Sequence, residues 1–398
     1  MESLIWDPST TLADVEDGSA DGTGAAYAAM LEQSPVARYD DGDGGFIWGI
    51  FSHDEIAKAA VDYKTFSNVT VPKDGPRIMP LMADPPEHTP YRRLVNQFFA
   101  KEPIARVEAE VRPIAAEMID AMVAAGGGEF GRGYAYAYST RVLCRFLRVK
   151  EDWQVYDEWT SEMERLTGSG VAPRASAGLP IEHLMKVTPY LLELISERRA
   201  SPGDDIVSGI ATGKLGDEPM DDQAVLMMIM TLIMAGRSTS ASGIGNLVLR
   251  LARDPELQQF LRENPDRIPD AVEESLRIDT PQQQMPRLCV QDIEIDGQTI
   301  KAGDTVFVNY GSANVDPAHW ERPGEFDIDR PVKRHMAFGR GVHLCFGAPL
   351  GRMQMRVSVE ELLARTSSFE LAGEIERRTW PRLSVEKMPL RMVAAEAS

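Results

Sequence analysis

Cysteine is scarce in this chain of 398 residues, which has only three: Cys144, Cys289 and Cys345. They lie far apart and form no C-x-x-C pair, which argues against a disulfide framework or a zinc ribbon and fits a reducing compartment. A signal peptide is also missing, because the first residues, MESLIWD, have neither a basic segment nor an apolar run. We therefore expect a cytoplasmic protein.

Long hydrophobic runs and positive charge are in short supply as well. The longest apolar run, from Ala224 to Gly236, is interrupted only by Thr231 and is shorter than the ~20 residues that span a bilayer. It predicts a buried core helix. The chain has 42 Lys and Arg against 61 Asp and Glu, and its net charge of -19 argues against nucleic acid as a partner, since phosphates require a basic face.

The sequence has no stretch of linker composition, internal repeat or coiled-coil heptad that would divide it into parts. Because 43% of the residues are apolar, the chain can build a sizeable core. We expect one domain over residues 1–398, mainly α with small β-sheets. Residues 1–25 are small and acidic, and we expect them to pack loosely.

Local patterns predict several elements of this domain. The predicted strand is 46–51, and the predicted helices are 53–62, 103–125 and the apolar segment from residue 224. The predicted loops are 69–81, 167–180 and 201–222, of which 167–180 would be mobile. Asp221 or Asp222 is a candidate N-cap for the apolar helix.

One loop presents a thiol at the tip of a glycine-rich turn that leads into a helix: Phe338-Gly339-Arg340-Gly341-Val342-His343-Leu344-Cys345-Phe346-Gly347. Small residues let backbone N–H groups approach the sulfur and tune the electron density that a thiolate gives to a haem iron. The alternative is a buried structural cysteine after an ordinary glycine turn. A second glycine pair, in residues 130–133 (FGRG), has Ala137 at the offset of Cys345, so we interpret it as a connection.

This string resembles the ligand loop of the cytochromes P450, which are haem-thiolate monooxygenases, and matches Phe-Gly-x-Gly-x-His-x-Cys-x-Gly at every fixed position. The resemblance implies the P450 fold, in which haem b lies between a long central helix and the cysteine loop. It implies that Cys345 is the axial ligand of the iron and that His343 reaches a propionate. The loop residues that would surround the cofactor are Phe338, Gly339, Gly341 and Gly347.

Two further segments resemble cofactor-binding elements of the family. Residues 84–92 (DPPEHTPYR) resemble Asp-Pro-Pro-x-His-x-x-x-Arg, and the spacing places His88 and Arg92 on one side of a helix, where they can converge on one anion. Arg287, six residues after Pro281, is similar in position to the family's other propionate-binding arginine. With His343, the resemblance implies four donors around two carboxylates.

A structural set is also implied by the resemblance. Glu274 and Arg277 are three residues apart, so they can pair on one helical face. This segment is similar to the family's Glu-x-x-Arg, and the segment 323–330 (PGEFDIDR) resembles the one that supplies a third member, Arg330. We expect these residues to lock the core on the ligand side.

The segment Ala235-Gly236-Arg237-Ser238-Thr239 resembles the family's Ala-Gly-x-Asp/Glu-Thr, in which Ala235 would contact the haem and Gly236 would permit a local break in the helix. In the family the threonine hydroxyl stabilises bound oxygen and the acid relays protons for O–O cleavage. We therefore expect Thr239 to keep this role. Ser238 replaces the acid, so we expect slower proton delivery. The alternatives are that a carboxylate from elsewhere in the chain relays the protons, or that the replacement has no consequence. Arg237 would either anchor an anionic substrate or point away from the haem.

Segments that line the substrate pocket in the family correspond here to mostly apolar residues. They are residues 69–81, Thr231, Met234, Ala235, Gln283, Met285 and residues 380–383. The polar options are Thr231 and Gln283, which indicates a small hydrophobic substrate with one polar handle. A terpenoid, an aromatic compound and a fatty acid all fit this description, and the loop 167–180 corresponds to the family's lid.

Electrons must come from outside, because no G-x-G-x-x-G fingerprint for a flavin or nicotinamide follows a strand. From Arg330 to Val359 there is no Asp or Glu, so this segment is a candidate docking patch for an acidic ferredoxin. The patch would centre on Arg334, Arg340, Arg352 and Arg356. We expect a monooxygenase driven by NAD(P)H through a ferredoxin and reductase; the alternatives are a peroxide-driven peroxygenase or rearranging enzyme, and a non-catalytic haem sensor or electron carrier.

Overall fold

Most of the described chain is helical. A computed structural model describes residues 22–40, 46–71, 77–149, 153–167, 181–331 and 334–396. The α-helices are α1 (Gly22–Leu31), α2 (His53–Ala59), α3 (His88–Asn96), α4 (Lys101–Ala124), α5 (Ala137–Leu147), α6 (Trp153–Thr167), α7 (Ile181–Ala200), α8 (Ile206–Ala211), α9 (Asp222–Arg253), α10 (Pro255–Glu263), α11 (Ile268–Ile278), α12 (Tyr310–Ala313) and α13 (Ala348–Arg365). Short 3-10 turns cover Gln97–Phe99, Pro265–Arg267 and Gly341–His343.

The strands are short and form several small sheets. They are β1 (Val36–Asp40), β2 (Phe46–Ile50), β3 (Phe66–Ser67), β4 (Gly127–Glu129), β5 (Lys214–Leu215), β6 (Glu218–Pro219), β7 (Met285–Cys289), β8 (Ile293–Ile295), β9 (Gln298–Ile300), β10 (Thr305–Val308), β11 (Thr366–Leu371), β12 (Glu376–Arg378), β13 (Ser384–Lys387) and β14 (Pro389–Ala394). The largest sheet has the order β1-β2-β10-β7-β3, with β2 and β10 parallel and its other pairs antiparallel. A second sheet has the order β11-β14-β4, and β12-β13, β5-β6 and β8-β9 are hairpins.

Helix α9 is the centre of the main hydrophobic core. Asp221 caps it, since its carboxylate accepts a hydrogen bond of 2.7 Å from the Ala224 N–H, and Arg250 and Arg253 lie in its last turn, where positive charge is favourable. Among the described residues, α9 is the helix long and apolar enough to cross a membrane. More than half of its most apolar window is buried against the rest of the protein, as the sequence predicted for a core helix.

Contacts between α9 and α13 fix the cysteine loop relative to the central helix. The Gln354 amide donates to the Ser240 hydroxyl at 3.2 Å. A Cβ at Gly243 would lie 2.7 Å from the Met355 sulfur, so a larger residue there would require the Met355 side chain to move. Helix α13 starts three residues after Cys345, and Ser240 directly follows Thr239. The two segments with predicted chemistry therefore lie on helices that pack together.

Two predicted loops contain regular structure. Residues 201–222 were expected to be a loop, but they include α8 and the hairpin β5-β6, because the Asp205 carboxylate caps the turn at Ser208 and α8 buries Ile206, Val207 and Ile210. Residues 130–133 are not a connection either. They begin a π-helical turn, Gly131–Tyr136, that continues into α5.

The start of that turn is held by an acidic side chain. The Glu129 carboxylate accepts hydrogen bonds from the N–H groups of Gly131 at 2.7 Å and Gly133 at 2.5 Å. These bonds satisfy donors that have no partner in the first turn of a helix. Of the predicted segments 1–25 and 167–180, residues 1–21 and 168–180 lie outside the described residues, and residues 22–25 belong to α1.

Candidate functional site

The cysteine loop is a tight turn whose backbone closes on itself. The Cys345 N–H donates to the Phe338 carbonyl at 2.9 Å, and the Gly339 N–H donates to the Met336 carbonyl at 2.8 Å. Gly341 has φ of +75°, and a Cβ there would lie 2.8 Å from the Ala60 carbonyl oxygen. Glycine is therefore required at this position both for the backbone conformation and for the close approach of α2.

The thiol of Cys345 lies at the surface of this turn, where its side chain is exposed. Burial of the sulfur nevertheless raises the pKa of this thiol. The backbone N–H groups of Gly347 and Ala348 oppose this increase, and so does the positive charge of Arg92. Such N–H donors stabilise a thiolate, which is the form that binds a metal.

Four nitrogen-bearing side chains from three parts of the chain gather beside the loop. The rings of His88 and His343 lie 4.3 Å apart between centroids. Arg92 donates to the Leu344 carbonyl and lies over the Phe346 ring at 5.0 Å. Arg287 on β7 is close enough to His343 to lower its pKa, as does burial, which is the largest effect.

Several of these nitrogens have no partner although they are buried. His88 Nε2, His343 Nε2 and Arg92 Nε make no hydrogen bond to any described residue. Burial, together with the charges of His343 and Arg92, lowers the pKa of His88 to about 4. Asp84 lies 3.8 Å from His343 Nε2, which is too long for a hydrogen bond. A cluster of buried donors without acceptors fits an anionic group, and the propionates of a haem supply such carboxylates.

The segment of α9 that was predicted to bind oxygen, residues 235–239, differs from the expectation in one respect. The predicted helix break is wrong, since α9 is continuous from Asp222 to Arg253. The Thr239 hydroxyl donates to the Ala235 carbonyl at 2.8 Å, and Ser238 is buried. Gly236 packs against α5, where a Cβ would lie 2.8 Å from a methyl carbon of Leu143, so a larger residue would require that side chain to move.

Arg237 points into a buried ion network rather than toward a ligand. Its guanidinium donates to Asp157 at 2.5 Å and to Glu164 at 3.2 Å, both on α6, and lies 4.8 Å above the Tyr136 ring. Glu164 also accepts a hydrogen bond of 3.3 Å from Arg382. Since Arg237 is fully buried and its charge is matched by α6, the interpretation that it anchors an anionic substrate is wrong.

The three predicted structural residues meet. Arg277 donates to Glu274 through Nε at 2.8 Å and through Nη2 at 2.7 Å, and Arg330 Nε donates to the same carboxylate at 3.0 Å. Remaining donors of both arginines bond backbone carbonyls of residues 314–325. The cluster joins α11 to the segment that precedes the cysteine loop.

Comparison with known proteins gives the family. The family model for cytochrome P450 matches residues 181–379. Mycinamicin IV hydroxylase/epoxidase of Micromonospora griseorubida is 29% identical over 92% of this chain and 94% of that protein. Vitamin D(3) 25-hydroxylase of Pseudonocardia autotrophica is 30% identical over 92% of this chain and 93% of that protein. The crystal structure of CYP108D1 from Novosphingobium aromaticivorans has a TM-score of 0.80 and 32% identity, covering 94% of each chain.

The chain belongs to the cytochrome P450 family. The predictions of the P450 fold, of an oxidoreductase of the monooxygenase type and of haem b as cofactor are thereby confirmed. P450 enzymes bind hydrophobic substrates and O2 and need redox partners.

The predicted pocket residues of this P450 are engaged to different degrees. Gln283 is buried and accepts a hydrogen bond of 2.8 Å from the Tyr27 hydroxyl, while its amide donates to a backbone carbonyl three residues earlier. Its amide is therefore used in the core, and the prediction that it offers a polar handle is wrong. Thr231 is also buried and bonds the carbonyl one turn earlier. Met234 and Met285 are half-buried.

Two further segments, residues 380–383 and 69–81, were predicted to line the pocket. Residues 380–383 pair with residues 281–283 through backbone bonds of 2.9 and 3.1 Å, so two predicted lining segments are adjacent. Of residues 69–81, the stretch 72–76 lies outside the described residues, and the rest of that segment has no helix or strand.

Acidic residues from other helices neutralise part of the positive charge of the segment 330–359. Arg352 pairs with Glu273 at 2.5 Å, and Arg356 pairs with Glu108 and with Glu360 at 3.0 Å. The charges of Arg352 and Arg356 are therefore neutralised, and the prediction that these two residues offer docking charges is wrong. Arg334 and Arg340 are exposed.

Several supporting residues escaped sequence analysis. Tyr310 accepts a hydrogen bond of 3.1 Å from Arg287 and lies beside the cysteine loop, where a Cβ at Gly339 would be 3.4 Å from its hydroxyl. Asp157 and Glu164 hold Arg237. No spacing signal links these pairs, because 23 to 80 residues separate the partners.

Proposed function

We propose that this P450 binds haem b through the Cys345 sulfur and inserts one oxygen atom from O2 into a small hydrophobic substrate. Electrons would come from NAD(P)H through an external ferredoxin and reductase. The observation that carries this proposal is the set of buried nitrogens on His88, Arg92 and His343 that face one another beside the Cys345 loop without acceptors. A haem brings both the metal for the thiolate and the carboxylates for these donors.

Each residue of the candidate site has a role in this arrangement. Cys345 would ligate the iron, which supplies the chemistry of O2 activation when haem is bound. The side chains of His88, Arg92, Arg287 and His343 would hold the propionates. The loop around the thiolate would consist of Phe338, Gly339, Gly341 and Gly347, with Ala235 of α9 on the opposite face.

Proton delivery is assigned to the two hydroxyl groups on α9. The Thr239 hydroxyl, which donates to the Ala235 carbonyl, would hold a proton at its oxygen and pass it to the oxygen-binding side of the site. Ser238 can pass a proton through water but adds no negative charge. The carboxylates that contact the neighbouring Arg237 are occupied by ion pairs, so they do not replace the acid.

The substrate would be apolar with few polar groups. The half-buried Met234 and Met285 support this, because thioether side chains adapt to irregular hydrophobic surfaces. With Gln283 used in the core, Thr231 is the remaining polar candidate. Two relatives are named for mycinamicin IV and for vitamin D(3), so related enzymes act on different substrates.

The electron donor would be an acidic ferredoxin in the cytoplasm that docks near the exposed Arg334 and Arg340. The absence of acidic residues between Arg330 and Val359 supports this location.

The central experiment is a carbon monoxide difference spectrum of the reduced, haem-loaded protein. We expect the absorption band typical of thiolate ligation, and Cys345→Ser should lose that band while its circular dichroism stays helical. Cys144→Ser is the matched control and should keep the band. A wild-type protein that binds haem without this band would overturn the assignment of Cys345.

The replacement of the acid by Ser238 makes a peroxide-driven enzyme the second candidate. Turnover with hydrogen peroxide alone should be compared with turnover on NAD(P)H, ferredoxin and reductase for the same substrate. We expect faster turnover with the redox partners, because Thr239 is retained. Efficient turnover only with peroxide would favour the peroxygenase.

A further inference from the structure

A pair of histidines outside the haem site lies face to face. The rings of His53 and His319 are 3.4 Å apart between centroids and 13° from parallel. His53 Nδ1 lies 3.0 Å from a carboxylate oxygen of Asp54. One ligand atom from each of these three side chains lies within 4.8 Å of the other two.

The backbone holds the two histidines in this position. One carboxylate oxygen of Asp316 accepts a hydrogen bond of 2.8 Å from the His53 N–H, and the other accepts one of 2.8 Å from the Ala318 N–H. The His319 N–H bonds the Asp316 carbonyl at 3.0 Å. Asp316 thus connects the start of α2 to the turn that carries His319, so the cluster is built by the fold rather than by chance contact of flexible side chains.

The chemistry of the cluster suits a transition metal. Imidazole nitrogens and carboxylate oxygens are common protein ligands of such ions. A set of two nitrogens and one carboxylate oxygen suits Zn²⁺ and similar ions, whereas Mg²⁺ and Ca²⁺ prefer oxygen ligands alone.

The spacing also agrees with such an ion. Zinc bonds of about 2.0–2.1 Å in a tetrahedral site place neighbouring ligand atoms about 3.3 Å apart. The 3.0 Å between His53 Nδ1 and Asp54 is close to this distance. The ligand atoms of the three side chains all lie within 4.8 Å of one another. Since the lone pair of an imidazole nitrogen lies in the ring plane, metal binding would turn the His319 ring out of its stack on His53.

We propose that His53, Asp54 and His319 form a binding site for a divalent transition metal ion of the Zn²⁺ type, with a fourth position for water. The ion would fasten α2 to residues 316–320. That turn carries Trp320, whose ring contacts the His319 ring at 5.1 Å and lies 5.2 Å from the guanidinium of Arg277. Metal binding would therefore stabilise the region next to the Glu274 cluster.

The test uses haem-loaded, tag-free protein treated with a chelator and titrated with zinc chloride in a calorimeter. We expect one saturable Zn²⁺ per chain and a higher unfolding temperature with the metal. His319→Ala should lower the affinity by about tenfold or more, because it removes one of three protein ligands. Asp54→Asn should also weaken binding, and it cannot act by unfolding the protein, since the Asp54 side chain is 83% exposed.

His335→Ala is the matched control, because it removes a histidine that contacts Glu273 and lies outside the cluster. It should keep the wild-type zinc affinity. Wild-type protein that binds no saturable Zn²⁺, or binding that is unchanged in both His319→Ala and Asp54→Asn, would overturn the proposal. The result is independent of the carbon monoxide spectrum, which tests Cys345.

Discussion

Two threonines on α9 make the same backbone contact but have different expected roles. Thr231 and Thr239 each donate to the carbonyl four residues earlier, at 2.7 and 2.8 Å. We expect Thr239→Ala to divert electrons into hydrogen peroxide, because the hydroxyl that directs protons to bound O2 is lost. The measurement is the ratio of product and peroxide to NAD(P)H consumed.

Thr231→Ala is the control for that experiment. It removes an equivalent bond from a threonine hydroxyl to a backbone carbonyl of α9, at a position predicted to line the substrate pocket. It should change substrate affinity but leave the peroxide fraction close to wild type. If Thr239→Ala keeps the wild-type ratio of product to NAD(P)H, the threonine has no part in proton delivery.

Ser238 is the residue at which this chain departs from the family motif. We expect Ser238→Asp to increase the turnover number, because a carboxylate both relays protons and adds negative charge next to Thr239. The variant and Ser238→Ala should be compared in kcat and in the solvent deuterium isotope effect on kcat. An Asp variant with unchanged kcat would mean that proton delivery does not limit this enzyme.

Glu274 shows how strongly burial changes the value of an ion pair. Its carboxylate serves both Arg277 and Arg330, and all three side chains are less than 10% exposed. Glu274→Ala should lower the free energy of unfolding by about 3–5 kcal/mol, because it leaves two buried guanidinium groups without a carboxylate. Urea denaturation of the haem-loaded protein provides the measurement.

An exposed pair with the same three-residue spacing is the control. Arg322 and Glu325 pair at 2.6 Å, but their side chains are 55% and 59% exposed. Glu325→Ala should cost less than about 1 kcal/mol, as is typical of surface ion pairs. Equal losses in the two variants would contradict the structural role of the Glu274 cluster.

At the level of elements, local signals in the sequence predicted most of what can be confirmed. The cap at Asp221 and the apolar run after it gave α9, and residues 103–125 gave α4. The errors arose where a distant side chain decided the outcome. The Glu129 carboxylate accepts a hydrogen bond from the Gly131 N–H, at the start of a helical turn where the sequence predicted a connection. The Tyr27 hydroxyl bonds the Gln283 side chain, 256 residues away, which was predicted to line the pocket.

The same reasoning explains the candidate site. Motifs within about ten residues, such as 84–92 and 338–347, carry their geometry in their spacing, so they were visible in the sequence. The ion pairs that neutralise Arg352 and Arg356 join α13 to α11 and α4, and no periodicity encodes them. The net charge of the segment 330–359 therefore overstates the positive charge of the surface, because acidic residues from other helices pair with its arginines.

Glu273 on α11 makes the junction with α13 sensitive to acid. Burial opposes ionisation, but hydrogen bonds from Arg352 and His335 lower the pKa of Glu273 from 4.5 to about 2. A carboxyl group with a depressed pKa in the folded state adds stability above its unfolded pKa and loses it as the pH falls. Wild-type protein should therefore lose stability between pH 4.5 and about 2.

Glu273→Gln should be less stable than wild type at neutral pH and should lose less on acidification. The comparison is the urea midpoint of both proteins at pH 7 and at about pH 4, where the ionisation of this carboxyl differs between folded and unfolded states. Parallel pH curves for the two proteins would show that this carboxyl does not contribute.

For the whole molecule, a net charge of -19 makes the approach of an acidic ferredoxin unfavourable except at a local positive surface. Arg334 and Arg340 are exposed within the segment that lacks acids, whereas Arg356 is paired with Glu108 and Glu360. The docking surface should thus be smaller than the sequence indicates and should depend on the first two residues.

The double variant Arg334→Ala, Arg340→Ala should slow electron transfer from reduced ferredoxin, and the difference from wild type should shrink as salt increases because ions screen the attraction. Stopped-flow formation of the carbon monoxide complex at several salt concentrations measures this rate. Arg391→Ala is the control, since it removes a 67% exposed arginine from β14. If both variants slow the reaction equally, net charge rather than a docking surface governs the encounter.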